Sequence, residues 1–257
     1  MAHSFTTDLT DKVAVLTGGG GVLCSCMAEN LARAGAKVAI LDLRREAADN
    51  VAKTIREQGG SALGVACDVL KRDSVEAARQ TVESELGTCD ILVNGAGGNN
   101  PRATTSMETL TPEALSSLDD EASASLFDLA PDGVEFVFGL NFLGTFLPTQ
   151  VFARGMAERG RGTILNISSM NAFRPLTKIP AYSAAKAAVS NFTQWLAVHL
   201  APVNVRVNAV APGFFITEQN RELLTNPDAT LTPRGQTIVK HTPMNRFGDP
   251  EDLTGTV

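Results

Sequence analysis

The stretch KVAVLTGGGGVL, residues 12–23, decides the fold of this chain of 257 residues. Residues 12–17 form a nearly continuous apolar run, which is typical of a strand buried on both faces of a parallel sheet. Four consecutive glycines, Gly18 to Gly21, then permit a tight turn, and a helical pattern follows at about 22–34. A strand, a glycine turn and a helix in this order predict the first half of a βαβ unit.

Strand and helix patterns go on alternating through the rest of the chain. This alternation predicts an α/β fold with a Rossmann-like, doubly wound parallel sheet in a single domain, residues 1–257. A segment rich in Ser, Thr, Asp and Glu at about 101–131 interrupts the alternation, and we expect a surface insertion or a lid there. The predicted strands lie at 12–17, 37–42, 62–67, 90–94, 162–168 and 203–210, and the predicted helices at about 22–34, 45–58, 71–86, 132–159 and 180–200.

The composition argues against several classes of protein. A net charge of −6 without any basic run speaks against nucleic-acid binding. The polar start of the chain lacks the apolar core of a signal peptide, and no apolar run approaches the roughly 20 residues that span a membrane. The four cysteines have no metal-ligand spacing, so we predict no metal site and reduced thiols in a cytoplasmic protein.

The glycine turn and Asp42 together indicate a dinucleotide site. Glycines let backbone N–H groups at the start of a helix approach a pyrophosphate. Asp42 ends the second predicted strand, where its carboxylate can accept both ribose hydroxyls of NAD and repel the 2′-phosphate of NADP. Arg44 and Arg45 follow closely and could neutralise that phosphate, so NAD is the predicted cofactor and NADP stays open. The alternative for Asp42 is a cap of the following helix.

Ser169, Tyr182 and Lys186 carry the chemistry that the sequence suggests. Tyr182 is the only tyrosine, and Lys186 follows it by four residues in an alanine-rich helical stretch, so both side chains share one helix face. An ammonium beside a phenol is expected to lower the phenol pKa from about 10, so that the tyrosine can act as general acid or base. Ser169 lies at the end of a predicted strand, where open α/β sheets bind ligands. The alternative is a helix that carries the pair by chance.

An ordered set of short motifs runs through almost the whole chain: Thr17-Gly18 with its glycine run, Asp42, Asp68-Val69, Asn94-Gly95-Ala96-Gly97, Asn141, Ser169, Tyr182, Lys186, Pro212-Gly213 and Thr217. Together they resemble the short-chain dehydrogenase/reductase family. The resemblance implies that Tyr182 is the acid/base and that Ser169 holds the substrate oxygen. It implies that Lys186 binds the nicotinamide ribose and lowers the tyrosine pKa, and that Asn141 anchors a water in a proton relay.

The same resemblance implies the contacts with the cofactor. Asp68 would meet the adenine, and Thr217 with the Pro212-Gly213 turn would hold the carboxamide end. The whole implied cofactor-binding set is Gly18, Gly20, Gly21, Leu23, Asp42, Asp68, Val69, Asn94, Ala96, Gly97, Tyr182, Lys186, Pro212, Gly213 and Thr217.

The chain departs from the family pattern in two places. Val22 and Cys24 stand where the family has glycines, and Gly21 lies one place early, so we expect the first helix to pack less closely on the sheet. Cys24 and Cys26 lie in the first turn of that helix, where a lowered pKa would make a thiol redox-sensitive, although inert buried cysteine is the simpler alternative. Secondly, no counterpart of the family's final strand precedes Val257, so we expect either that the sequence continues beyond Val257 or that the sheet is without its C-terminal strand.

Three segments are similar to a bacterial branch of the family known as D-mannonate oxidoreductase (fructuronate reductase); they are residues 94–101, 169–176 and 214–221. This similarity implies that the substrate is a sugar acid, D-fructuronate or D-mannonate. Arg174 and Arg221 could clamp its carboxylate, and Asn171, Gln219 and Asn220 could bind its hydroxyls. Each arginine could equally be a plain surface charge. The alternatives are a gluconate- or polyol-type dehydrogenase and a catalytically silent dinucleotide-binding regulator.

The helices predicted at about 132–159 and 180–200 are the most apolar part of the chain. One sheet face cannot cover a helix that is apolar nearly all round, so we expect these two helices to pair with their copies across a two-fold axis. The alternative is that both helices simply line the core. Members of the resembled family often form tetramers through their final helix and strand. For these residues we therefore predict a dimer, and a tetramer if the C-terminus is completed.

Overall fold

The structure, a computed structural model, describes residues 7–116, 124–218 and 220–257. Within these ranges six parallel strands form one sheet in the order β3-β2-β1-β4-β5-β6. Because the order reverses between β1 and β4, a crevice opens there at the carboxyl ends of the strands. The predicted doubly wound α/β fold in a single domain is confirmed. The strands are β1 (Val13–Thr17), β2 (Lys37–Asp42), β3 (Ser61–Ala66), β4 (Ile91–Asn94), β5 (Gly162–Ile167) and β6 (Val205–Val210).

Helices cover both faces of this sheet, and the long ones begin and end within one residue of their predicted bounds. One difference lies inside the first long apolar helix, where a π-helical turn, Gly139–Leu143, separates two α-helical pieces. The helices are α1 (Val22–Arg33), α2 (Arg45–Glu57), α3 (Arg72–Glu85), α4 (Pro112–Leu115), α5 (Pro131–Phe138), α6 (Gly144–Glu158), α7 (Pro180–Leu200), α8 (Arg221–Leu224) and α9 (Pro233–His241).

The core consists of two apolar layers, one on each face of the sheet. In β1, Val13 and Val15 belong to the layer that α3, α6 and α7 cover. Ala14 and Leu16 belong to the layer that α1 and α2 cover. Both sets of side chains are buried, which explains why this strand is apolar without polar alternation.

The segment Pro131–Glu158 is long and apolar enough to cross a membrane by length and composition alone. However, 50% of its most apolar 18-residue stretch is buried inside the protein. There α6 packs on α3, β4 and β5. Such burial is typical of a core helix, whose apolar face is already covered by its own domain.

The described parts of the predicted insertion at about 101–131 lie mostly on the surface. Its Thr105 N–H donates to the Lys178 carbonyl at 2.9 Å, and its Ser106 N–H donates to the Ala124 carbonyl at 2.8 Å. The first bond attaches the insertion to the loop that precedes α7. A role as a lid stays a prediction.

The last described residues fold back on the first helix. Pro250–Thr256 forms 3₁₀ turns, and Asn30 of α1 donates to the Thr254 hydroxyl at 2.9 Å. In the sheet that the structure describes, β6 is therefore an edge strand.

Candidate active site

The glycine turn after β1 is shaped by contacts that only glycine allows. Gly18 has a φ of +62°, and a Cβ there would lie 2.8 Å from the Cα of Ala96. A Cβ at Gly20 would lie 2.7 Å from the Cβ of Ala47 and 2.9 Å from Oδ2 of Asp42. The turn therefore lies directly against the end of β2, the start of α2 and the loop after β4.

Asp42 at the end of β2 is bound to this turn. Its Oδ2 accepts the Gly20 N–H at 3.1 Å, and its Oδ1 accepts the Arg44 N–H at 3.0 Å. The cap position of α2 is Arg44, without a side-chain capping bond, so the alternative of Asp42 as a helix cap is wrong. Arg45 pairs with Asp49 at 2.8 Å, and Arg44 is exposed.

The expectation that α1 packs less closely on the sheet because of Val22 and Cys24 stays a prediction, but the structure shows what surrounds the Cys24 side chain. Cys24 is buried, and its sulfur occupies the space beside Gly95: a Cβ on Gly95 would lie 2.1 Å from that sulfur. Gly95, just after β4, thus makes room for Cys24 of α1, which stands where the family pattern has a glycine. Burial raises the pKa of the Cys24 thiol to about 12. Burial also raises the pKa of Cys26, so the inert interpretation of these cysteines is favoured.

Asp68, Val69 and Ala96, which are further predicted cofactor contacts, have different surroundings. Asp68 is half-buried and pairs with Lys71 at 3.0 Å, whereas Val69 is buried against Gly144. The Ala96 N–H lies 3.3 Å from the Thr17 hydroxyl, which accepts it.

The side chain of Asn94 joins three elements of the core. Its side chain is buried, and its amide nitrogen donates to Thr149 at 2.9 Å and to Asn166 at 2.8 Å. These bonds join β4 to α6 and β5 under the crevice. The amide therefore points into the core, where its oxygen has no hydrogen-bond partner among the described residues, and the predicted contact of Asn94 with the cofactor stays a prediction.

Tyr182 and Lys186 lie one turn apart on α7, on the face that the spacing predicted. The Lys186 ammonium lies 5.7 Å from the centre of the Tyr182 ring. It is buried and donates to the Ile167 carbonyl at 2.7 Å. Gly97 leaves room for it, since a Cβ there would lie 3.1 Å from the ammonium.

The expected lowering of the Tyr182 pKa is not what the structure shows. Burial raises the pKa of Tyr182, and a hydrogen bond with Ser169 opposes this rise only in part. The Lys186 ammonium faces the ring and donates to the Ile167 carbonyl, and burial remains the dominant effect on the Tyr182 pKa. Burial also lowers the pKa of Lys186 to about 8, because a charged amine loses hydration there.

Asn141 lies in the π-helical turn, completely buried. Its amide nitrogen donates to the Gly98 carbonyl at 2.7 Å and to the Val137 carbonyl at 2.8 Å, and its amide oxygen accepts the Gly98 N–H at 3.2 Å. Asn141 thereby fixes the loop after β4 beside Lys186. A π-turn of this kind often marks a functional site; its role in a water relay stays a prediction.

A cavity of about 320 Å³ opens at the carboxyl ends of β4, β5 and β6, and α8 and α9 form its outer wall. The predicted site residues that line it are Leu23, Gly97, Ser169, Asn171, Tyr182, Lys186, Pro212, Gly213, Thr217 and Asn220. Catalytic and ligand-binding candidates from distant parts of the chain thus meet in one place.

Only some of the predicted substrate residues line this cavity. Asn171 is buried, and its amide oxygen has no hydrogen-bond partner among the described residues. Asn220 lines the cavity but bonds its own loop, accepting from Thr217 N–H and donating to the Phe215 carbonyl at 2.8 Å each. Arg174 and Arg221 are exposed and lie outside the cavity wall. Gln219 lies outside the described residues.

Arg234 and Ile238 of α9 line the cavity and were not predicted. The only sequence signal for them is a helix start, Thr232-Pro233, with a capping residue followed by proline. In the structure the Thr232 hydroxyl accepts the Gly235 N–H at 3.1 Å. That signal predicts a helix but not which of its residues reach a ligand.

Comparison with known proteins gives relatives along almost the whole chain. The family model described as short chain dehydrogenase matches residues 12–228. An uncharacterized oxidoreductase of Haemophilus influenzae is 51% identical over 250 residues, which are 97% of this chain and 86% of the relative. A solved structure from the same species, provisionally named D-mannonate oxidoreductase and holding NAD, has a TM-score of 0.90 at 51% identity, with 97% of this chain and 87% of that chain covered.

A more distant solved structure is a gluconate 5-dehydrogenase of Burkholderia cenocepacia in complex with NADP and tartrate. It has a TM-score of 0.81 at 31% identity, with 98% of this chain and 88% of that chain covered.

Proposed function

Because this chain belongs to the short-chain dehydrogenase/reductase family and is an NAD(P)-dependent oxidoreductase, we propose that it interconverts D-fructuronate and D-mannonate with NAD as its cofactor. One observation carries this proposal: Tyr182 and Ser169 share a cavity with cationic side chains, and no Asp or Glu is among its described lining residues. Such a cavity suits a ketone that carries a carboxylate. The solved relative named for D-mannonate and holding NAD supports the same choice.

The residues of the turn and crevice fit a dinucleotide. Gly18 and Gly20 let the turn lie directly against Ala96, Ala47 and Asp42, where any Cβ would collide, and the start of α1 that follows this turn could face a pyrophosphate. The half-buried Asp42 would accept the adenosine ribose hydroxyls, and Lys186 would face the nicotinamide ribose. When bound, the nicotinamide supplies or accepts a hydride.

The protein's own residues then handle the substrate oxygen. With its raised pKa, Tyr182 holds its proton at neutral pH and can donate it to the oxygen of a ketone that is being reduced. Ser169, hydrogen-bonded to Tyr182, orients that oxygen. In the direction of oxidation Tyr182 must first lose its proton, so we expect alcohol oxidation to need a more alkaline pH than ketone reduction.

The test is the loss of NADH absorbance with D-fructuronate, compared with 5-keto-D-gluconate and D-fructose. We expect the highest kcat/KM with D-fructuronate. A preference for 5-keto-D-gluconate would support the gluconate-type alternative, which the similarity to the gluconate 5-dehydrogenase favours. NADH binding without turnover of any of these ketones would support a silent regulator.

The choice of cofactor is tested separately by comparing NADH with NADPH. We expect NADH to be preferred, because the Asp42 carboxylate would repel a 2′-phosphate. Asp42→Ala should narrow the preference by removing this repulsion and hydrogen bonds worth roughly 1.5–3 kcal/mol each. A wild-type preference for NADPH would contradict the assignment and would point to Arg44 as the phosphate partner.

A further inference from the structure

The cavity contains two cationic side chains with different surroundings. Lys186 is buried, donates to the Ile167 carbonyl and lies beside Tyr182, so it is already committed to the catalytic centre. Arg234 lines the same cavity from α9, together with Leu223, Leu224 and Ile238. Its guanidinium has no hydrogen bond or ion pair with any residue that the structure describes.

The backbone of Arg234 is held firmly. Arg234 is the second residue of α9, next to the Thr232 cap. The Thr232 N–H donates to the Leu224 carbonyl at 3.0 Å, which joins the start of α9 to α8. A Cβ on Gly235 would lie 2.3 Å from the same carbonyl, so the two helices touch closely there. The side chain therefore starts from a fixed point in the cavity wall.

A half-buried guanidinium beside apolar side chains is stabilised by an anion that it can bind in the fork geometry. A carboxylate is such an anion, and no described acidic residue of the cavity supplies one. Arg174 and Arg221 do not reach this wall, and Arg102 and Arg246 are paired with Asp132 and Asp252.

Asn171 provides an independent observation on the same cavity. Its amide oxygen is buried and lacks a donor among the described residues, so a ligand hydroxyl would satisfy it. A polyhydroxy acid offers both groups at once, a carboxylate and hydroxyls along its chain.

We propose that Arg234 binds the substrate carboxylate and thereby selects keto acids over neutral ketoses, while Asn171 accepts a hydrogen bond from a hydroxyl of the same substrate. This proposal rests on the proposed function for the class of substrate. It places the recognition of the acid on α9 and not on Arg174 and Arg221. The carboxylate end lies against α9 and the ketone end lies against Ser169 and Tyr182.

The test compares Arg234→Gln and Arg234→Lys with D-fructuronate and with D-fructose, in which a hydroxymethyl group replaces the carboxylate. Arg234→Gln should lower kcat/KM for D-fructuronate by roughly 10- to 100-fold, as expected for a lost charge-assisted pair, and should leave D-fructose reduction and NADH affinity nearly unchanged. The kcat/KM of Arg234→Lys for D-fructuronate should lie between the values of the wild type and Arg234→Gln. The control, Lys240→Gln, removes an exposed charge from the same helix and should leave kcat/KM unchanged for both substrates.

Binding provides a readout that does not need turnover. In the enzyme–NADH complex, Arg234→Gln should weaken D-mannonate binding at least tenfold and leave D-mannitol binding unchanged, as measured by calorimetry. If the wild type reduces no sugar acid but this difference in binding is found, the proposed function is wrong and the carboxylate site stands. If D-fructuronate is reduced and Arg234→Gln affects acid and neutral ligands equally, the site is wrong and the function stands. A selective loss in Arg174→Gln or Arg221→Gln alone would also overturn the proposal.

Discussion

At the scale of single residues, burial has opposite effects on the pKa values of Tyr182 and Lys186, the proposed catalytic pair. Burial disfavours the charged form of each group, so the pKa of Tyr182 is raised and that of Lys186 is lowered to about 8. The tyrosine is therefore a neutral proton donor at pH 7, while the lysine is close to losing its charge. A bound ligand or a small change in pH should therefore change the protonation state of Lys186.

The first residue-scale prediction concerns Tyr182→Phe. The substitution removes the transferable proton but keeps the ring beside Lys186, so turnover should fall by roughly 10²–10⁴-fold. NADH affinity, measured by fluorescence titration, should be nearly unchanged. A loss of kcat smaller than tenfold would show that another group supplies the proton.

The second concerns pH. Because its pKa is about 8, the Lys186 ammonium is present below that pH and lost above it. NADH affinity of the free enzyme should therefore fall as the pH rises through about 8. The neighbouring Tyr182 and Cys24 have raised pKa values and stay neutral in this range. Lys186→Gln should bind NADH weakly without this step; a step that persists in the variant would exclude Lys186 as its source.

At the scale of elements, the contact between α1 and β4 depends on a matched pair. Cys24 fills the space that Gly95 leaves open, so a residue that departs from the family pattern in the glycine turn is accommodated on the neighbouring strand. In the turn before α1, the Gly21 N–H donates to the Gly18 carbonyl at 3.0 Å. At Cys24, α1 and the loop after β4 pack directly on each other.

This pairing predicts the result of a double-mutant cycle. Gly95→Ala should destabilise the protein by about 1–3 kcal/mol, because its Cβ would overlap the Cys24 sulfur. Adding Cys24→Ala should recover part of that loss, with the Thr17 carbonyl, 2.9 Å from the new Cβ, responsible for the remainder. Urea unfolding measures the free energy of unfolding of the single variants and of the double variant. Gly255→Ala, with open space around it, is the control; strictly additive effects at 95 and 24 would contradict the pairing.

At the scale of the whole molecule, an apolar surface remains on the outer side of α5 and α7. Phe136, Trp195 and Val198 are 46%, 56% and 77% exposed. Trp195 stacks on Phe192 and on His199, with ring centres 6.1 and 4.6 Å apart. Exposed large apolar side chains on two neighbouring helices are typical of a surface that a partner covers.

We therefore predict that two copies pair through these helices, with an interface above roughly 2,000 Å² in total. Light scattering at micromolar concentration should give the mass of a dimer. Trp195→Asp should shift the mass towards the monomer, whereas Met244→Asp, which changes an exposed apolar residue elsewhere, should not. A wild-type monomer would overturn the prediction, and a tetramer would require a second interface.

The sequence by itself determined the strands, the helices and the family. Apolar runs, helical spacing and the glycine turn are local patterns, and local patterns fix local structure. The Tyr182–Lys186 spacing likewise placed both side chains on one face of α7 before any contact was known. Val22 and Cys24 were visible as departures from the same kind of pattern.

Only the tertiary structure decided the electrostatics and the membership of the site. Burial, which depends on contacts between distant segments, reversed the expected direction of the Tyr182 pKa. The same contacts turned the Asn94 amide into the core, matched Cys24 with Gly95, and left Arg174 and Arg221 outside the cavity while α9 brought Arg234 into it. These outcomes depend on which surfaces meet when the sheet and its helices pack, and spacing along one chain segment does not contain that information.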